Sequence, residues 1–392
     1  MTARDKTKFF CFVLEGLNSF ATVTYLYYLY FLTRDHFGFD NKRNLALAAT
    51  LGLVYAISAW QTGKFAQRRG YFTALKIGFA LMAVSLLAGL FLNFAIGQIG
   101  AAVIVTIGTC FVWPTLEALV SDGESAAGLP RVVGIYNVVW AVTAAVAYFV
   151  GGSLVETFGY QIIFTLPLAI VLGMLALTFW LQRHAADLAR EALENSAATP
   201  PVPHRPASPR AGAFLRMAWL ANPFAYVGIQ TLIAVIPGIA ARFHLSTMAA
   251  GFICTLWCFV RLGAFVVLWH WTAWHYKFRW LGVSFAVLIA SFAAILMSPT
   301  LAVLVAGQIF FGGAIGLIYY SSLFYSMDAG DTRGEHGGIH EAAIGLGNCV
   351  GPAIGAAALE FLPQYANSGA IAVSALLVCG FGGLLAIWKT AK

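Results

Sequence analysis

From Phe9 to Leu32 the chain carries a single formally charged side chain, Glu15, among apolar and hydroxylic residues. Such a run matches the roughly 20 helical residues that cross about 30 Å of hydrocarbon. Hydrocarbon offers no partner to a backbone N–H or C=O, so the run must satisfy its own backbone as an α-helix. The pattern recurs, and twelve spans are expected at 9–32, 45–62, 73–92, 96–120, 133–153, 160–181, 214–240, 248–271, 279–297, 301–327, 338–361 and 369–388. Of 392 residues 60% are hydrophobic and 10% charged, against roughly 45–50% and 25% in soluble domains. A water-soluble core cannot absorb that excess, and 15% aromatics with sparse charge exclude disorder. The expected fold class is all-α integral membrane.

An even number of spans puts both chain ends on one side. With the ends inside, the inner segments hold 18 of the 23 Lys and Arg residues. The outer segments hold Arg34, Lys42, Arg43 and Arg242, and Arg261 lies within a span. This asymmetry predicts an N-in, C-in topology. It also accounts for the net charge of +7 without a nucleic-acid partner. The first run is too long for a signal peptide and lacks an A-x-A site, so it is expected to stay as a span.

One long polar stretch, 182–213, separates six spans from six. Its start, Arg183 to Asn195, reads as a short surface helix. Thr199 to Arg210 is Pro-rich and reads as an extended linker. The expected organisation is a six-helix bundle over 1–182, a cytoplasmic linker over 183–213 and a second six-helix bundle over 214–392. The halves also echo one another. Span 4 closes with Glu117 to Asp122 and is followed by Gly134-Ile-Tyr-Asn137; span 10 closes with Tyr325 to Asp328 and is followed by Gly338-Ile-His-Glu341. Duplication of this kind is expected of transporters built from repeats. The six cysteines form no CxxC pair, and Cys254 with Cys258 has no His or acid at ligand spacing, so no metal and no cofactor is expected.

After span 2 the chain reads Gly63-Lys-Phe-Ala-Gln-Arg-Arg-Gly70-Tyr-Phe-Thr-Ala-Leu75, and span 11 carries Gly345-Leu-Gly347-Asn-Cys-Val-Gly351-Pro352-Ala-Ile-Gly355. The first resembles the signature loop of the major facilitator superfamily, with Gln67 where the family usually has Asp. The second is similar to that family's Gly-Pro helix, which its drug antiporters usually carry on span 5. The resemblance implies two six-helix bundles rocking about a central site lined by spans 1, 4, 7 and 10. It implies a secondary transporter of a small organic solute, working by alternating access and coupled to protons or another ion. A monomer is expected, and the short loops suggest the bilayer of a bacterial cytoplasmic membrane. Flipping of an amphipathic lipid on the same fold is the alternative, favoured by openings between spans 5 and 8 or 2 and 11. A membrane receptor or enzyme is the remote one, since no nucleotide, phosphate or nucleophile motif occurs.

The loop reads as a cytoplasmic latch. Gly63 and Gly70 permit tight reversals, Arg68 faces an acid at the end of span 4, Glu117 or Asp122, and residue 67 meets the N-terminus of span 11. Gln67 offers that helix end a neutral acceptor in place of a charge. Charges inside spans are costly unless paired or facing water. Arg261, halfway along span 8 and one turn from Trp257, reads as a contact for an anionic substrate or a coupling carboxylate, or else as a structural partner. Glu15, and the pair His340 and Glu341 at the start of span 11, are the coupling candidates. Tyr25, Tyr28, Tyr319 and Tyr320 offer rings with hydroxyls to a solute. Trp113, Asn137, Trp140, Gln230 and Asn348 complete the expected lining, while Tyr30 reads as an interfacial belt residue.

Overall fold

The computed structural model describes residues 3–122, 124, 128–194, 210–329 and 335–391. They form thirteen helices: α1 Ala3–Phe37, α2 Asn41–Arg69, α3 Tyr71–Gly89, α4 Ala95–Ser121, α5 Leu129–Phe158, α6 Ile162–Glu194, α7 Ala211–Arg242, α8 Thr247–Cys254, α9 Leu256–His270, α10 Phe278–Leu296, α11 Leu301–Ala329, α12 Glu335–Phe361 and α13 Ser368–Thr390. No strand occurs among the described residues. Twelve helical segments are long and apolar enough to cross a membrane, one for each expected span. Span 8 is made of α8 and α9 together, interrupted at Thr255.

Local chemistry sets the breaks. Asp40 caps α2 by accepting a hydrogen bond from the Arg43 amide at 2.8 Å, and Ser246 caps α8 in the same way. Gly70, at φ +93°, makes the reversal between α2 and α3 in a backbone region that favours glycine. Gly63 makes no reversal: α2 runs unbroken through it to Arg69, because Lys-Phe-Ala-Gln-Arg-Arg after it suits a helix and one interior glycine costs only about 1 kcal/mol. The interruption at Thr255 leaves helix carbonyls unpaired, and side chains take them up. The Thr255 hydroxyl donates to the Gly251 carbonyl at 2.7 Å, and the Gln308 amide donates to the Ile253 carbonyl at 2.9 Å. The stretch read as a separate surface helix continues α6 without a break as far as Glu194. Residues 195–209, most of the Pro-rich linker, lie outside the described residues, as do 330–334 in the second copy of the repeat.

The first six spans pack among themselves, as do the last six. Alternating direction brings both chain ends to one face, here the terminal face. At the opposite face and down to mid-depth the halves meet along two seams. In the first, α2 crosses α12: a Cβ on Gly52 would strike the backbone of Asn348 and Cys349, and one on Gly345 would lie 2.5 Å from the Ala56 amide nitrogen. Only glycine lets two backbones come so close. Lys42 and Glu360 pair at 2.6 Å at the outer end of this seam. In the second, α5 crosses α8, where a Cβ on Gly152 would strike the Thr247 carbonyl and Glu156 accepts from the Met248 amide at 2.8 Å.

Candidate functional site

Below the two seams lies a cavity of about 180 Å³ between the halves. Its lining is a set of helical stripes. α1 contributes Glu15, Ser19, Thr22, Leu26 and Tyr30, spaced three to four residues apart, with Tyr27 beside them. α4 contributes Thr106, Thr109, Trp113 and Glu117, and α12 contributes His340, Glu341, Ile344 and Asn348. The remaining walls include Tyr55 of α2, Tyr136, Asn137 and Trp140 of α5, Tyr226 and Gln230 of α7, Arg261 of α9 and Tyr319 of α11.

Glu15 is fully buried and its carboxylate is held by neutral donors alone. Ser19 donates to Oε1 at 2.9 Å, the Trp113 indole to the same oxygen at 3.2 Å, and Tyr136 to Oε2 at 2.9 Å. Across the cavity Tyr55 donates to Glu341, joining the two halves. The Tyr55 ring lies 6.0 Å from the ring of Trp113, so one aromatic pair separates the two acids' donors. Asn137 is a second junction: its Oδ1 accepts from Trp140 and from Tyr319, each at 2.8 Å, the latter from the other half. A third is the Gln230 amide, which donates to the Tyr30 hydroxyl at 2.9 Å.

Arg261 is 4% exposed. Its guanidinium carbon lies 4.6 Å from the ring centre of Trp140 and 5.0 Å from that of Trp257. Its Nε has no hydrogen-bond partner. Among the described residues, ion pairs join Lys8 to Glu124 and Lys42 to Glu360, and neither involves Arg261. The reading in which Arg261 meets a coupling carboxylate is not what the geometry provides.

Of the residues expected to contact substrate, the structure brings Trp113, Asn137, Trp140, Gln230, Arg261, Tyr319 and Asn348 to the cavity. Glu15, His340 and Glu341 join them, and so does Glu117. Four others lie elsewhere. Tyr25 packs against Phe164 of α6, with ring centres 5.5 Å apart. Tyr28 fills the notch between Gly151 and Gly251 at the α5–α8 seam and donates to the Tyr148 carbonyl. Tyr320 packs toward Phe265 and Trp274, and Trp257 stands behind Arg261. Tyr30, read as a belt residue, is 1% exposed and lines the cavity.

The latch residues are not joined as expected. Glu117 shares a stripe with Trp113, one turn away, and that stripe turns it toward the cavity and away from the loop. Arg68 and Gln67 are exposed, and no ion pair joins Arg68 to Glu117 or Asp122. Asp122 occupies the C-cap of α4. The ion pair that does form at the terminal face joins Lys8 of α1 to Glu124, beyond the end of α4. Sequence reading also missed Ser19, Tyr55, Tyr136 and Tyr226. For Ser19 the available signal was the helical stripe that starts at Glu15. No cluster of metal-ligating side chains occurs among the described residues.

The sequence model of the Major Facilitator Superfamily matches residues 9–352. Comparison with curated protein sequences gives no match. Among solved structures, that of the human organic anion transporter MFSD10 (TETRAN) superposes with a TM-score of 0.69 at 15% identity, over 98% of this chain and all of the other. A structure described as giving insight into substrate recognition in proton dependent oligopeptide transporters superposes with a TM-score of 0.71 at 15% identity, over 99% of this chain and all of the other. At that identity the likeness is one of fold.

Proposed function

The chain belongs to the Major Facilitator Superfamily, and from that premise we propose that it is a secondary active transporter of a small organic solute, coupled to protons. The family supports a multi-pass membrane transporter and points away from an enzyme. The finer reading rests on one observation. A cavity lined by Glu15, Glu117, Glu341 and Arg261 lies between two halves that are sealed against each other on one side of it. A site held between two bodies is exposed to alternate faces when the bodies rock about it.

The terminal face is the cytoplasmic one by the distribution of Lys and Arg, and a bacterial cytoplasmic membrane is the setting we infer. Opening toward that face leaves the loop after α2 with no lock to make. The exposed, unpaired Arg68 is consistent with this inward-facing arrangement. The acids supply the coupling. A carboxylate inside a membrane domain either finds a cation or takes up a proton. Here neutral donors steady the ionised forms of Glu15 and Glu341 but no cation is paired with either, so a proton is what neutralises them. The two similar folds are described as an organic anion transporter and as belonging to proton dependent oligopeptide transporters; they support transport on this scaffold and leave the solute open.

A cavity of about 180 Å³ and two glycine-tight seams give little support to lipid flipping, which needs a large site open sideways. The test is reconstitution in proteoliposomes with a pH-sensitive dye inside. Addition of a transported solute will move protons in the wild type and not in the double variant Glu15→Gln with Glu341→Gln. Solute uptake that leaves internal pH unchanged and ignores an imposed pH gradient would remove the coupling.

A further inference from the structure

We infer that the solute is a small organic anion whose negative group docks on Arg261 and whose apolar part lies on the aromatic wall beside it. The inference rests on the transport reading and names the substrate class of the same site.

Arginine cannot discharge by losing its proton. The three cavity acids can become neutral, but Arg261 stays positive in every state of the cycle. A buried charge without a counter-ion is unfavourable. Arg261 is 4% exposed, its Nε is unpartnered, and no ion pair to it is formed among the described residues. The two tryptophans that flank it partly offset its charge through their ring faces. They do not supply hydrogen-bond acceptors, so the planar donor edge is left for a ligand. A carboxylate, sulfonate or phosphate group fits that edge in a bidentate manner.

The surroundings set the rest of the molecule. Trp140, which covers one side of Arg261, meets the Tyr319 ring at 5.6 Å, and Tyr319 meets the Tyr226 ring at 6.4 Å. A continuous aromatic surface therefore leads away from the guanidinium. The cavity holds about 180 Å³, and an apolar cavity of about 150 Å³ takes up benzene. A single ring bearing an acid group matches both. Trp140 comes from the first half, and Arg261 with Tyr226 from the second, so such a ligand touches both moving bodies.

The experiment is thermal melting of the purified full-length protein with benzoate, phenylacetate, benzenesulfonate, inorganic phosphate, benzamide, phenylacetamide and benzylamine. A ligand that binds only the folded protein raises the melting temperature. The ring acids are expected to stabilise the wild type, while the matched amides and the amine do not; this comparison needs no variant. Arg261→Gln is expected to lose roughly ten- to a hundredfold in affinity for the acids, and Arg261→Lys to lose less. Equal stabilisation by acid and amide, stabilisation by the amine alone, or no response to any acid overturns the inference. Stabilisation by inorganic phosphate equal to that by the ring acids keeps Arg261 as the anion site and removes the aromatic part. If a neutral or cationic compound is instead the one taken up by proteoliposomes, transport stands and the anion assignment falls. If the acids bind but none crosses the membrane, the assignment stands and the transport reading falls.

Discussion

Tyr55 of α2 donates a hydrogen bond to Glu341 of α12, so a phenol of one half holds a carboxylate of the other. The bond lies just below the point where Gly52 and Gly345 let the same two helices touch, backbone to backbone. A titratable group thus sits on the seam that must open when the site changes sides. Protonating Glu341 weakens the acceptor that Tyr55 uses, which links proton occupancy to the closeness of the two halves.

Removing the phenol is expected to loosen the seam. Tyr55→Phe keeps the ring and deletes the donor, at a cost of about 1–3 kcal/mol to the arrangement in which α2 and α12 are in contact. Spin labels on the loops at the two outer ends of these helices, near residues 40 and 362, report the result. The variant is expected to populate longer distances than the wild type under the same conditions. Unchanged distance distributions would show that the bond does not hold the seam.

Gly345→Val is expected to be more severe. A Cβ at residue 345 lies 2.5 Å from the Ala56 amide nitrogen, and backbone cannot rotate aside as a side chain can. Overpacking typically costs about 1–3 kcal/mol, and here the strain exists only while the seam is closed. The variant is expected to fold, to bind ligand from the open face and to fail in transport. Normal uptake by Gly345→Val would mean that α2 and α12 do not close this tightly during the cycle.

The twelve spans were legible because membrane helices must be long and apolar, and that signal does not depend on what each helix packs against. The face each helix turns inward was harder to read. A helix apolar on all sides has no contrast between its faces, so its sequence does not say which way Tyr25, Tyr27, Tyr28 and Tyr30 point. Taking Glu15 as the inward mark resolves all of them but Tyr27, which reaches the cavity from the edge of the stripe. Positions 19, 22, 26 and 30 follow it at helical spacing and line the cavity, whereas Tyr25 and Tyr28 fall on the sides facing α6 and the α5–α8 seam. The same argument moves Glu117 from the loop to the cavity once Trp113 is known to face inward. The Lys8–Glu124 pair had no sequence signal, since its partners are 116 positions apart.

That pair gives a stability prediction. Both side chains are largely shielded from water, at 10% and 20% exposure. Lys8→Met leaves the carboxylate of Glu124 without this cation, and a loss of about 1–3 kcal/mol is expected for a partly buried pair. Thermal melting in detergent at low and high salt reads it. The variant should melt lower than the wild type at both salt concentrations, because a shielded pair is screened little. A difference that vanishes in high salt would place the pair in bulk solvent.

The last prediction concerns pH. If an anion binds beside Arg261, each ionised acid in the cavity repels it, and each proton taken up removes that repulsion. Affinity for a ring acid should therefore rise as pH falls and decline as pH rises, provided the ligand itself stays ionised; benzenesulfonate meets that condition. Glu117, Glu341 and His340 share the cavity with Glu15. A proton on His340 adds positive charge and acts in the same direction. Glu15→Gln is thus expected to flatten the dependence without abolishing it, and to raise affinity most at the alkaline end, where wild-type Glu15 is ionised. Binding isotherms for benzenesulfonate at several pH values, on wild type and variant, provide the check. Affinity for benzenesulfonate that stays flat or rises with pH in the wild type would mean that the cavity acids do not face the bound anion.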